Sequence, residues 1–246
     1  MFEAKIISTS EKRGEYGPIN NPVSSASPQG DCGCKKTFAS KVDEAEDAEI
    51  VTVAKEIVTE TFTDPRDGEV YKLVTIGDQV WMAENLRYNP SNNNAVAFED
   101  DEDNIKKFGM LYGVPAIFED KVIPKGFHLP CEENLKQLLD FVQDNCGDEN
   151  VAACLKSKKG WKYSSQPKGL DMFGFRLLPA GFQNEDEQFR ELGKSGSFWV
   201  ADEDSDGDEP PYFELRSDGL FDSRPLCLGE WGERRYIRCI KDEEFD

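Results

Sequence analysis

Val70-Tyr71-Lys72-Leu73-Val74-Thr75-Ile76-Gly77-Asp78-Gln79-Val80-Trp81-Met82-Ala83-Glu84-Asn85-Leu86 is the stretch from which the fold is read. Residues 70–76 are rich in β-branched and aromatic side chains and predict a strand. Gly77-Asp78 supplies a two-residue turn, and Gln79–Met82 reads as the return strand of a hairpin. Just upstream, Asp64-Pro65-Arg66-Asp67-Gly68 is a second turn, so the globular part is expected to start near Phe62.

Further towards the N-terminus the pattern weakens. Residues 49–62 carry Ile50, Val53, Ile57 and Val58 at helix-like spacing, but their β-branched content argues equally for a strand, and both readings stay open. Gly14 to Lys36 is rich in Gly, Pro, Asn and Ser and has too little apolar surface to offset chain entropy. Residues 1–61 are therefore expected to form an extended N-terminal arm that anchors the chain to a larger assembly, and residues 62–246 a single domain.

Towards the C-terminus, residues 89–104 are polar and acidic and read as a loop. Residues 132–145 predict a helix, because Leu135, Leu138, Leu139 and Val142 form one apolar stripe and Glu132 and Glu133 favour the first turn. Cys146-Gly147 should end it, and a shorter helix is expected over about 149–157. Short apolar runs follow at 173–178, 197–201, 212–216 and 236–241. Two helices followed by several short strands predict an α+β fold.

The net charge is −20, from 49 acidic and 29 basic residues, which argues against binding nucleic acid or anionic membranes. Divalent cations, basic protein surfaces and neutral sugars fit that charge better. No apolar run approaches the roughly 18 residues of a membrane span. Residues 1–17 hold no apolar core of a secretory leader, so assembly without export is expected. In that setting the seven cysteines are expected as free thiols.

The chemistry-bearing residues are few. His128 is the only histidine, which excludes multi-histidine metal chemistry, and its place before the main helix predicts a structural hydrogen bond. Cys32-Gly33-Cys34 lacks the second pair that a soft-metal site needs. The run Asp202-Glu203-Asp204-Ser205-Asp206-Gly207-Asp208-Glu209 opens like a calcium loop, but Phe213 stands at the twelfth position, where an EF-hand needs Glu. Asp202, Asp204, Asp206 and Asp208 are thus candidate calcium ligands or, equally, a solvated loop. Glu99 to Asp103 is a lesser candidate on the same reasoning. Trp81, Trp161 and Trp199 read as core. Trp231, between Gly229 and Gly232, reads either as core or as an exposed indole for a sugar or protein ligand. No catalytic residue is assigned.

A series of blocks then becomes recognisable: Phe62 to Gly68, Ile76 to Leu86, Leu111-Tyr112-Gly113, Pro124-Lys125-Gly126-Phe127-His128-Leu129-Pro130, Leu155-Lys156-Ser157, Gly160-Trp161, Phe173-Gly174-Phe175, Leu178-Pro179-Ala180-Gly181, Phe198-Trp199 and Ile237-Arg238-Cys239-Ile240-Lys241-Asp242. Over residues 62–242 the chain resembles the Fibrobacter succinogenes major paralogous domain. That resemblance implies a C-type-lectin-like fold related to sulfatase-modifying factors. It also implies a binding role, for a glycan or protein, on C-terminal loops of about 200–235. Two departures stand out. The family's usual Cys-Pro is Ile123-Pro124 here, so the bridge that lectin-like folds make to the C-terminal cysteine, Cys239, cannot form; Cys131 is the candidate substitute if it lies within reach. The usual Trp of Gly-Trp-His is Phe127. The expectation is a non-catalytic surface module of a larger assembly, such as a virion decoration or fibre. The alternatives are a secreted bacterial cell-surface binding protein and an enzyme related to sulfatase-modifying factors.

Overall fold

The computed structural model describes residues 59–118, 121–162, 168–201, 210–218 and 225–243. In chain order these form β1 (Thr59–Thr63), β2 (Val70–Ile76), β3 (Gln79–Met82), β4 (Ala95–Val96), α1 (Glu102–Phe108), β5 (Leu111–Gly113), α2 (Val114–Phe118), β6 (Phe127–His128), α3 (Glu132–Cys146) and α4 (Val151–Leu155). The C-terminal part adds only strands: β7 (Phe182–Gln183), β8 (Phe189–Arg190), β9 (Ser195–Trp199), β10 (Pro211–Arg216), β11 (Leu226–Leu228), β12 (Arg234–Arg235) and β13 (Ile240–Lys241).

The deciding hairpin forms as its residues dictate. Gly77 takes φ +61 at the first turn position, and Ile76 pairs with Gln79 across the two-residue turn. Antiparallel pairing then builds three sheets, in the orders β1-β2-β3-β13-β6, β4-β5-β12-β7-β8 and β11-β10-β9. The last described strand, β13, is inserted between β3 and β6, in the same sheet as the first described strand, β1. Helices alongside antiparallel sheets make this an α+β fold.

Alternation along β2 divides the core. Val74 and Ile76 enter a cluster with Trp81, Leu138, Val142, Phe175, Phe198 and Phe213. Tyr71 and Leu73 enter a second cluster with Met82, Tyr112, Phe127, Trp199, Ile237 and Cys239. The α3 stripe fits the first cluster: Leu135, Leu138 and Val142 are buried, and Leu139 is partly so. The buried indoles have partners. The Trp81 N–H donates to Gln79 Oε1 at 3.0 Å, and the Trp199 N–H donates to the Tyr112 carbonyl at 2.7 Å.

Several expectations are corrected. Residues 89–104 are not all loop, because β4, a 3-10 turn (Phe98–Asp100) and the start of α1 lie there. Asp101 caps α1 by accepting from the Asp103 N–H, with Glu102 and Asp103 in the first turn and Lys106 and Lys107 in the last. The acids of the Glu99–Asp103 run therefore begin a helix, and the described residues hold no cluster of three metal-ligating side chains. Four α-helices stand where two were expected among the described residues. Residues 173–178 form no strand beyond an isolated bridge of Leu177 to Lys156. The run 236–241 joins β12 and β13 instead of forming one strand, and its backbone bonds several elements: the Tyr236 carbonyl accepts from Trp199, and that of Ile237 from Leu86. β1 begins at Thr59, inside the segment read as arm.

Candidate functional site

The described part of the C-terminal loops is built around Arg235. This side chain is 2% exposed, and its guanidinium lies 3.4 Å from the Tyr212 ring centroid and 4.3 Å from that of Phe182. It donates to Glu233 Oε2 at 2.8 Å and to Ser197 Oγ at 3.0 Å. A buried cation is thus matched by a carboxylate, a hydroxyl and aromatic faces. Beside it, the Ser195 hydroxyl donates to buried Glu214 at 2.5 Å.

The 226–233 segment rests on this base. Tyr212 pairs with Cys227 across β10 and β11, and the Gly229 N–H donates to the Pro210 carbonyl at 3.0 Å. A Cβ on Gly229 would stand 3.2 Å from both the Trp199 and Tyr212 rings, so glycine lets the backbone lie against them. Its outer side chains are left to solvent: Leu226 is 36%, Leu228 63% and Trp231 51% exposed. The core reading of Trp231 is therefore corrected. Among the described residues β11 is also an edge strand, paired on one side by β10. Asp202, Asp204, Asp206 and Asp208, and with them the calcium reading of that run, lie outside the described residues, as does Cys32-Gly33-Cys34.

His128 sits apart from this ridge, in a cleft of about 320 Å³ between the β2–β3 turn, β6, α3 and β13. Its Nδ1 is 2.7 Å from Asp242 Oδ1, with both side chains about half exposed. The bond ties β6 to the residue after β13. The expected hydrogen bond is present, but it joins two sheet strands and does not serve the helix. Gln79 at the cleft floor donates to Gln137 Oε1 at 2.9 Å and to the Asn134 carbonyl at 3.2 Å, fixing the hairpin to α3.

The cysteines depart from expectation. Cys146 and Cys154 are joined in a disulfide across the α3–α4 connection, where free thiols were expected. Cys131 and Cys239 do not pair. The Cys131 thiol donates to Asn134 Oδ1 at 3.1 Å, while Cys239 is fully buried in the apolar cluster against which Ile123 packs. Apolar contact thus takes the place of the missing bridge. Phe127, the other departure, is buried with its ring centroid 4.6 Å from that of Phe62.

The fold and ridge define an α+β domain that carries an exposed apolar surface on its C-terminal strands. More particularly, residues 74–241 match the Fibrobacter succinogenes major domain, and the chain belongs to that family. No curated protein and no solved structure matches it.

Proposed function

We propose that this protein is a non-catalytic recognition module of lectin-like design that engages a glycan or protein through the ridge of Leu226, Leu228 and Trp231. One observation carries the reading. Of the five large apolar side chains exposed among the described residues, three fall within this one segment. The backbone beneath them is held by the pairing of Tyr212 with Cys227 and by the bond of the Gly229 N–H to the Pro210 carbonyl. Loops displayed on such a base can vary in sequence without disturbing the core.

Burial pushes the thiols of Cys227 and Cys239 up, away from the thiolate a nucleophile needs, which favours a binding role for the strands that carry them. The place of the module on a virion or other assembly belongs to the same proposal, and the genes beside its own would test it. The disulfide between Cys146 and Cys154 favours a second location, on an exported bacterial cell-surface protein, because such bonds persist in oxidising surroundings. Intact mass under non-reducing conditions, measured on protein from its native source, decides between them: two hydrogens fewer than the reduced chain supports export, and the reduced mass supports assembly inside the cell.

The ridge is tested by probing a glycan array and a peptide-display library with the wild-type chain and with a Leu228→Ser, Trp231→Ala variant. The wild type should select at least one ligand. The variant should keep the wild-type near-ultraviolet circular dichroism and lose that ligand. Equal selection by both chains, or none by the wild type, removes the reading.

A further inference from the structure

We propose a second binding site, at the C-terminal turn of α1, that holds the oxyanion end of a ligand: a phosphate, sulfate or carboxylate group. The cavity there measures about 40 Å³ and is lined by Arg87, Lys106, Lys107 and Arg176, with Glu84 and Asn85. An ordered water needs at least about 10–15 Å³ by this measure, so the space holds roughly three waters. One carboxylate or phosphate group fits that volume, and a sugar ring does not.

Charge makes the cavity exceptional. The whole chain carries −20, yet four cationic residues line this cavity with one carboxylate, Glu84, which Arg87 meets at 3.6 Å. A fifth, Arg238, lies directly behind the wall: it is fully buried and donates to Asn85 Oδ1 at 3.2 Å through Nε and 3.0 Å through Nη2. Glu69 is engaged by Arg87 at 2.6 Å, and Asp171 lies near Arg238. With these two counted, five cations still face three carboxylates. An anion would complete the set.

The local structure fixes the backbone at Arg176 and the side chain of Arg87. The dipole of α1 accounts for lysines in its last turn, but not for Arg176, which arrives from a separate segment. Arg176 adopts φ +53, a conformation costly for a residue with a Cβ, and is held there by its N–H bond to Asp171 Oδ1 at 2.9 Å. Arg87 is fixed by stacking 4.3 Å over Tyr71. Gly109 closes the wall: a Cβ there would come 2.7 Å from Asn85 Cβ. Burial holds the Arg238 pKa down, at about 9; Asp171 and Glu84 act against that shift and Arg176 adds to it. The site is separate from the ridge, and its failure leaves the ridge reading standing.

Thermal melts and calorimetry with inorganic phosphate, against chloride at equal ionic strength, test the site in the full chain. At ten times its Kd, phosphate should raise Tm by about 3 °C or more. A Lys106→Gln, Arg176→Gln variant should match the wild-type melt in chloride and lose the phosphate response. Parallel arms with sulfate and with a sulfated oligosaccharide distinguish the source: at least tenfold tighter binding of the oligosaccharide assigns a sulfated glycan, and equal or weaker binding assigns a free anion. If phosphate acts no better than chloride, or the variant responds as the wild type does, the site is overturned.

Discussion

Arg238 is fully buried, and among the described residues no carboxylate approaches its guanidinium as an ion pair. Its donors go to Asn85 Oδ1 and the Phe175 carbonyl, and it lies 4.7 Å from the Phe175 ring centroid. Asn85 in turn donates to the Phe108 carbonyl at 2.7 Å. Removing this one side chain leaves a buried cation and a buried carbonyl short of partners. Asn85→Ala should therefore lose about 3 kcal/mol or more, read as a lower urea midpoint with an unchanged slope. Both residues fall in sequence blocks recognisable by eye. What they do for one another was not legible, because 153 positions separate them along the chain. Trp231 was ambiguous for a related reason. A tryptophan between glycines is compatible with core or surface, and only the packing of Gly229 on Trp199 and Tyr212 decides which way that segment faces.

At the scale of elements, legibility followed periodicity. The β2–β3 hairpin and α3 were read closely because each carries an unbroken apolar pattern over several residues. α1 was missed since only Ile105 and Phe108 show its inward face, and its acidic start resembles a polar loop. The signal that would have found it is the order of charge, acids first and lysines last, which suits a helix dipole. The short strands β7, β8, β12 and β13 span two residues each, too few to show a period. The disulfide belongs to this scale as well. It joins the end of α3 to α4 across a sequence separation of 8, and closing so short a loop stabilises by about 2–3 kcal/mol in the chain-entropy view. Cys154→Ser, or reduction of the wild type, should lower the unfolding free energy by that amount, and reductant should have no effect on the variant.

Across the molecule, buried tyrosines set the alkaline limit. Burial raises the pKa of Tyr71, Tyr112 and Tyr236, and it lifts Tyr212 to about 12. Above the ordinary value of 10.0 the unfolded chain loses these protons first. The folded state then holds more protons, and stability falls as pH rises, by about 1.4 kcal/mol per pH unit for each such group. Arg238 acts in the opposite direction. Its pKa is depressed to about 9, so between there and the ordinary guanidinium value the unfolded chain holds the extra proton and folding gains. Four tyrosines outweigh one arginine, and Tm should fall steeply above pH 10. Tyr236→Phe should make that fall shallower, at a modest cost near neutrality from the lost bond to the Ala180 carbonyl. A titration of Tm from pH 8 to about 11.5 checks both statements.

The sequence by itself determined the α+β class, the hairpin and main helix, the family and the acidic balance, because these rest on local periodicity, short motifs and composition. Tertiary structure decided the rest. It placed β13 between β3 and β6, joined Cys146 to Cys154 while leaving Cys239 in an apolar cluster, turned Leu228 and Trp231 outwards, and set four cationic residues around one small cavity. Each of these depends on residues far apart in the chain meeting in space, and a contact of that kind leaves no periodic trace in the order of the amino acids.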